Sequence, residues 1–478
     1  MRKTWFAPLL AVVLAGLAGA VPTDSSSSAG TQRYLVVLAG AQGDDGFTGA
    51  GTTAAAKAAV AAAGGAVTND LSSQIGVLVA ESSLTGFAVA LSSSALVETV
   101  AGDKRFKGLA DGGPEPSADP LETPQWDMIQ IRAPQAHELQ AGARSVRVGI
   151  LDSGVDGNHP DFIVDGKGSN VDCRSGRNSV SFLPSGPGVG TPDPCVDNQF
   201  HGTHVAGTVA AQANGLGVVG VAPNVTVVPV KVCDASGYCY ASAVVDGITY
   251  AGDIRLDVIN MSFFVDDDAF QESTEFKCNS DPQQQAFRSA VERAIKYARG
   301  RGVTPIAALG NSDEDLANPS AADPADCDVV PAESPGVIGI SSLGNRSEKA
   351  GYSNYGVPAN DVAAPGGNGT TGDCRTTILS TLPGGAYGCI QGTSMASPHA
   401  AGVAALIVSK FGKVDKWGDV FLSPTTVEQK LKRTAVDIGI QGYDTCFGNG
   451  RIDALRAVQD DTSPTYDGSA PLCPEYAE

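Results

Sequence analysis

Apolar positions between residues 32 and 108 fall into short β-rich runs and one Ala-rich stretch. Tyr34-Leu-Val-Val-Leu38 and Ile75-Gly-Val-Leu-Val-Ala80 read as strands, and Thr52 to Ala63 as a helix that Gly64-Gly65 ends. Ala110 to Pro124 is rich in Pro, Gly, Asp and Glu and reads as an exposed linker. Beyond it, apolar runs at Val146–Leu151, Val225–Val232, Leu256–Met261 and Gly302–Leu309 are separated by helical patterns such as Gln283 to Arg299. That alternation predicts an α/β unit with a parallel sheet covered on both faces. Functional groups of such sheets gather where the C-terminal strand ends open into a crevice.

Composition sharpens this picture. A chain of 478 residues with 42% hydrophobic and 18% charged side chains can fill a large core. The net charge is −20, from 52 acidic and 32 basic residues, which repels phosphate backbones and anionic lipid and argues against a nucleic-acid partner. At the N-terminus, Arg2 and Lys3 precede an apolar run from Trp5 to Leu17 and the small residues Ala18-Gly19-Ala20. Residues 1–20 therefore read as a signal peptide and 21–31 as a flexible segment. The run is shorter than the ~20 apolar residues that span a bilayer, so the expectation is a secreted, extracellular protein with no membrane anchor.

Ten cysteines, none before Cys173 and none in paired CxxC units, read as disulfides in an exported chain. Nearest-neighbour pairing gives Cys173–Cys195, Cys233–Cys239, Cys278–Cys327, Cys374–Cys389 and Cys446–Cys473, with buried free thiols as the alternative.

Three segments carry candidate chemistry: Asp152-Ser-Gly-Val-Asp156 after a strand, His201-Gly-Thr-His-Val-Ala-Gly-Thr208 opening a helix, and Gly392-Thr-Ser-Met-Ala-Ser-Pro-His399 opening another. A serine hydroxyl becomes a nucleophile only with a base in hydrogen-bond reach. His201 can take the proton of Ser394, and Asp152 can hold the imidazole in the useful tautomer. The order Asp, His, Ser and the flanking residues resemble subtilisin-like serine peptidases, over about Gln125 to Val458. The resemblance implies a three-layer, doubly wound α/β domain at 125–460, with a mostly parallel central sheet and a C-terminal tail at 461–478. Residues 32–108 resemble, more faintly, the small α+β prosegment that chaperones and inhibits these enzymes, with the maturation site in the 109–124 linker.

Further roles are implied by the same resemblance. Ala307-Ala-Leu-Gly-Asn311 resembles the segment that supplies a side-chain amide to the oxyanion, making Asn311 the candidate. Ser262, Phe263, Phe264, Ser236, Gly237, Ala308 and Gly310 would line the substrate cleft. Phe264 stands where the family usually has a small residue, and either narrows the primary pocket or packs elsewhere. Asp161, with Gln212, Asn214, Leu216 and Val218, resembles a calcium loop of hard oxygens. No cofactor is needed for the chemistry; calcium would be structural. The partners are polypeptide substrates and the chain's own prosegment, on a monomer. Two other classes compete: a catalytically silent binding protein on the same scaffold, and an α/β-hydrolase esterase, which the absence of Gly-x-Ser-x-Gly around Ser394 disfavours.

Overall fold

A computed structural model describes residues 30–43, 46–48, 50–108, 125–164, 168–183, 190, 192–263, 282–318, 329–414 and 420–473. The signal peptide, the 109–124 linker, Phe264 and the Cys278–Cys327 pair lie outside the described residues.

Residues 32–102 form an antiparallel sheet from β1 (Gln32–Leu38), β2 (Ala66–Leu71), β3 (Val77–Ser82) and β4 (Val97–Gly102), in the order β2-β3-β1-β4. Helices α1 (Ala50–Ala62) and α2 (Phe87–Ser92) accompany it. Strand β3 starts two residues later than the apolar run suggests. Gly76 takes a left-handed φ of 68° after the single turn Ser72–Ile75, so Ile75 closes that turn instead of opening the strand. A short strand, β5 (Arg105–Lys107), follows.

The larger unit holds a seven-stranded, all-parallel sheet. Its strands are β6 (Arg147–Asp152), β7 (Arg177–Asn178), β8 (Thr226–Lys231), β10 (Val258–Met261), β11 (Thr304–Ala308), β12 (Ile338–Leu343) and β13 (Val362–Pro365), ordered β7-β8-β6-β10-β11-β12-β13. Strand β9 (Tyr238–Tyr240) lies apart and pairs with β5. The central strands are buried on both faces, and their largely apolar or small residues suit that burial. Alternation then divides each strand between two cores. Val148 and Ile150 join the core of α4 (His201–Ala210) and α7 (Thr393–Phe411). Leu151, Ile259 and Met261 join the core of α5 (Ala241–Asp253) and α6 (Pro282–Gly300).

The same alternation sets the small unit against the large one. Tyr34, Val36 and Leu38 of β1 face α1 and α2, with Ala56, Val60 and Phe87. Leu35 and Val37 point the other way, into the core that contains Ala286, Phe287 and Val291 of α6. Polar contacts frame this seam. Asp103 accepts from the Ser242 N–H at 2.8 Å and its hydroxyl at 2.6 Å, capping the first turn of α5 from outside that helix. The Asn69 amide donates to Asp246 at 2.9 Å, and Arg293 donates to Glu98 at 2.6 Å.

Four cystines are present among the described residues, Cys173–Cys195, Cys233–Cys239, Cys374–Cys389 and Cys446–Cys473, each as nearest-neighbour pairing gives. The last joins the tail to a core cluster with Ile438 and Phe447. No described helix is long and apolar enough to cross a membrane.

Candidate active site

Asp152 is the last residue of β6, and His201 is the first of α4. Both are buried, and the His201 Nδ1 lies 2.9 and 3.0 Å from the two Asp152 carboxylate oxygens. The helix can come this close to the strand end because residue 202 is glycine. A Cβ there would sit 2.0 Å from the Gly154 carbonyl oxygen and 3.1 Å from the Asp152 Cβ.

The turn ahead of His201 is strained, with Phe200 at φ 119°. Asp197 holds it. The carboxylate accepts from the N–H groups of Gln199, Phe200 and Thr203, and from the hydroxyls of Ser153 and Thr203, at 2.7–3.0 Å. Sequence reading passed over Asp197, although an acidic residue just ahead of a helix is a recognisable capping signal.

Ser394 is the second residue of α7 and is 6% exposed. Its hydroxyl donates to the Ser262 carbonyl at 2.9 Å, while the Ser262 hydroxyl donates to the Ser394 carbonyl at 2.8 Å. Asn260 completes the link: its amide donates to the Ser262 Oγ at 2.8 Å, and its Oδ1 accepts from the Ser397 hydroxyl at 2.7 Å. Ser262 is thus fully buried with its side chain turned towards α7. The side chain braces the nucleophile from beneath, while the Ser262 carbonyl faces the Ser394 hydroxyl. The Asn311 Oδ1 accepts from the Thr393 N–H and hydroxyl, both at 2.9 Å. This fixes the amide's orientation, and its Nδ2 lies on the side of Gly392. Strand ends β6, β10 and β11 are adjacent in the sheet, so Asp152, Ser262 and Asn311 meet at one crevice.

The cleft edges are also defined. Ser236 and Gly237 form the turn of the Cys233–Cys239 loop, where the buried Asp234 carboxylate accepts from the N–H groups of Ser236 and Tyr238 at 2.9 and 3.0 Å. Ala308 is buried, and Gly310 has φ 110°, with its N–H donating to the Thr393 hydroxyl at 3.2 Å. Phe263 is fully buried.

Strand β5 pairs antiparallel with β9, with Lys107 opposite Tyr238, Phe106 opposite Cys239 and Arg105 opposite Tyr240. Phe106 is fully buried between Phe263 and Phe287, at ring-centroid distances of 6.2 and 5.8 Å.

The loop expected to bind calcium is assembled. The Asp161 Oδ2 accepts from the Val218 N–H at 2.8 Å, while its buried Oδ1 has no partner. Burial lifts this carboxyl to about 6, against the lowering effect of the Val218 hydrogen bond. The Asn214 Oδ1 accepts from the Leu216 N–H at 3.0 Å, and the Gln212 amide donates to the Phe162 carbonyl at 3.0 Å. An orphaned carboxylate oxygen beside amide and carbonyl oxygens fits a hard cation.

The other histidines are structural. His204 Nε2 lies 3.0 Å from the Ile378 carbonyl, and burial, then His201, lowers its pKa to about 3. His399 links the Met395 carbonyl at 2.8 Å to Asp127 at 2.9 Å.

The pattern described as "Subtilase family" matches residues 143–450. Subtilisin NAT of Bacillus subtilis subsp. natto is 33% identical over 334 residues, covering 70% of this chain and 71% of the relative. Subtilisin of Bacillus pumilus has the same identity over 98% of its length, again covering 70% of this chain. Among solved structures, a variant of the epidermin leader peptide processing serine protease of Staphylococcus aureus superimposes with a TM-score of 0.68 at 21% identity. It covers 90% of this chain and 99% of its own.

Proposed function

This chain belongs to the subtilase family, a family of serine-type endopeptidases, and we propose that it is secreted, made as a zymogen, and cleaves peptide bonds through an acyl-enzyme on Ser394. The observations that carry the catalytic part are the buried Asp152–His201 pair and a serine braced at a helix N-terminus.

In the reaction the Ser394 hydroxyl exchanges its bond to the Ser262 carbonyl for one to His201 Nε2. That nitrogen takes the proton as Oγ attacks the substrate carbonyl. Asp152 holds Nδ1–H and stabilises the imidazolium. The carbonyl oxygen becomes an anion between the Asn311 Nδ2 and the Ser394 N–H, where the start of α7 favours negative charge. Collapse breaks the C–N bond, and the departing amine leaves with the proton from His201. Water, deprotonated by the same imidazole, then releases the acid and restores the serine.

Residues 32–108 act as the inhibitor, because β5 lies where an extended substrate would add a strand. A parallel sheet of long-range contacts folds slowly, and a bound template speeds it. Cleavage in the 109–124 linker would free the cleft. The signal-like N-terminus and the cystines support export as an extracellular enzyme. A calcium ion held by Asp161 and Asn214, with oxygens of Gln212, Leu216 and Val218, would stiffen that loop and take no part in the chemistry. Adding a chelator should lower the melting temperature, and an unmoved transition would refute the ion.

Fluorophosphonate labelling of the secreted protein, followed by peptide mapping, tests the whole reading. A stoichiometric adduct on Ser394 of a species that has lost the N-terminal unit is the expected result. A folded, processed chain with no adduct would favour the silent scaffold.

A further inference from the structure

The segment lying in the cleft carries its own sequence information, Arg105-Phe106-Lys107-Gly108. Alternation along β5 sends Phe106 inward and the two basic residues outward. Phe106 fills the space between Phe263 and Phe287. The outer face is equally specific. The Arg105 guanidinium stands 4.4 Å from the centre of the Tyr238 ring and bonds to Tyr240, whose hydroxyl donates to Asp234 at 3.2 Å. The Lys107 ammonium donates to the Ser236 carbonyl and lies 5.0 Å from the same Tyr238 ring.

Gly108 comes next, where a Cβ would stand 2.9 Å from the Cys239 Sγ and 3.1 Å from the Phe263 Cβ. Phe263 adjoins Ser262, whose carbonyl holds the Ser394 hydroxyl. The chain therefore runs towards the nucleophile from its N-terminal side, as the acyl half of a substrate does.

We propose that Tyr238, Tyr240 and Asp234 on the cystine-loop edge make this enzyme selective for peptides with a basic–aromatic–basic–glycine pattern just upstream of the cleaved bond. The inference rests on the peptidase reading and deepens it. Ring faces attract cations, and more strongly when the pair is desolvated. The net charge of −20 attracts basic peptides to the protein. The aromatic position supplies affinity through burial, and the two flanking charges supply selectivity.

The test uses the enzyme matured from the full chain and quenched fluorescent peptides spanning residues 103–112 of its own sequence. Replacing Phe by Ala in the peptide should lower kcat/KM at least tenfold. Replacing both flanking basic residues by Glu should lower it a further tenfold, with the loss shrinking at high salt. Tyr238→Ala in the enzyme should bring the basic and acidic peptides closer together. Should the charge-reversed peptide be cut as fast as the parent while casein is hydrolysed and Ser394 is labelled, the selectivity falls and the peptidase reading stands. Absence of both labelling and casein hydrolysis would remove both.

Discussion

The two units of this protein solve the burial problem differently. The large unit covers both faces of its parallel sheet with its own helices and is stapled by four described cystines. The small unit has no cysteine and owns only one covering layer, α1 and α2. Its second face, with Leu35, Val37 and Val79, is buried against α5 and α6 of its neighbour. A sheet that borrows half its core is stable where it sits and weaker once detached. That asymmetry suits a part made to leave.

The largest effect belongs to the large unit alone. Ser394→Ala should lower peptidase activity by about 10⁶-fold. If the linker is cut by the enzyme itself, the small unit should remain covalently attached, which intact mass would show. A normally processed Ser394→Ala chain would mean that another protease does the cutting. Asn311→Ala comes second, with kcat down about 10²–10³-fold and KM little changed, since the amide meets the oxygen fully only once it is charged. A fall in KM of similar size would contradict that role.

The third concerns the seam. Asp103 caps α5 across the two units, and loss of a cap costs about 0.5–2 kcal/mol. Asp103→Ala should therefore weaken inhibition by the added prosegment about tenfold, read as an inhibition constant. Unaltered inhibition would show that the apolar face alone holds the unit.

How far this was legible in the sequence depends on the kind of contact. Strand ends at the crevice followed from apolar runs ending at Asp152 and near Asn311. The Asp152–His201 pair was readable because its chemistry demands particular residue types in fixed local settings. Cystine pairs were readable because close spacing in the chain kept the partners together. The brace formed by Asn260, Ser262 and Ser397 was not, because it joins β10 to α7 across 137 positions and leaves no local pattern. Asp197 was within reach, being a capping residue, but motif reading stopped at the helix that begins with His201. Strand β5 looked like the end of the small unit. Only its pairing with Tyr238–Tyr240 reveals it as an occupant of the cleft.

The smallest effects are set by pH, and they run in opposite directions in the two units. All five histidines lie in the large unit, and burial is the first cause lowering the pKa of His137, His159 and His204. The unfolded chain then binds protons that the folded one refuses. Stability from His204 is complete above an ordinary histidine pKa of about 6.5 and declines as pH falls towards its folded value. Each such proton contributes a slope of about 1.4 kcal/mol per pH unit. His204→Gln should flatten the fall of melting temperature below that pH, and an unchanged slope would assign it elsewhere. Asp103 acts with the other sign, because burial raises its pKa despite the Ser242 bonds and Arg33. The bound state then takes up a proton, so attachment is strongest below the free carboxyl's range and loosens as pH rises through the raised value. Asp103→Asn, which keeps an acceptor for Ser242, should remove that dependence. Acid should thus weaken the enzyme's fold while tightening its inhibitor, and a return towards neutral pH should favour both the folded cleft and its release.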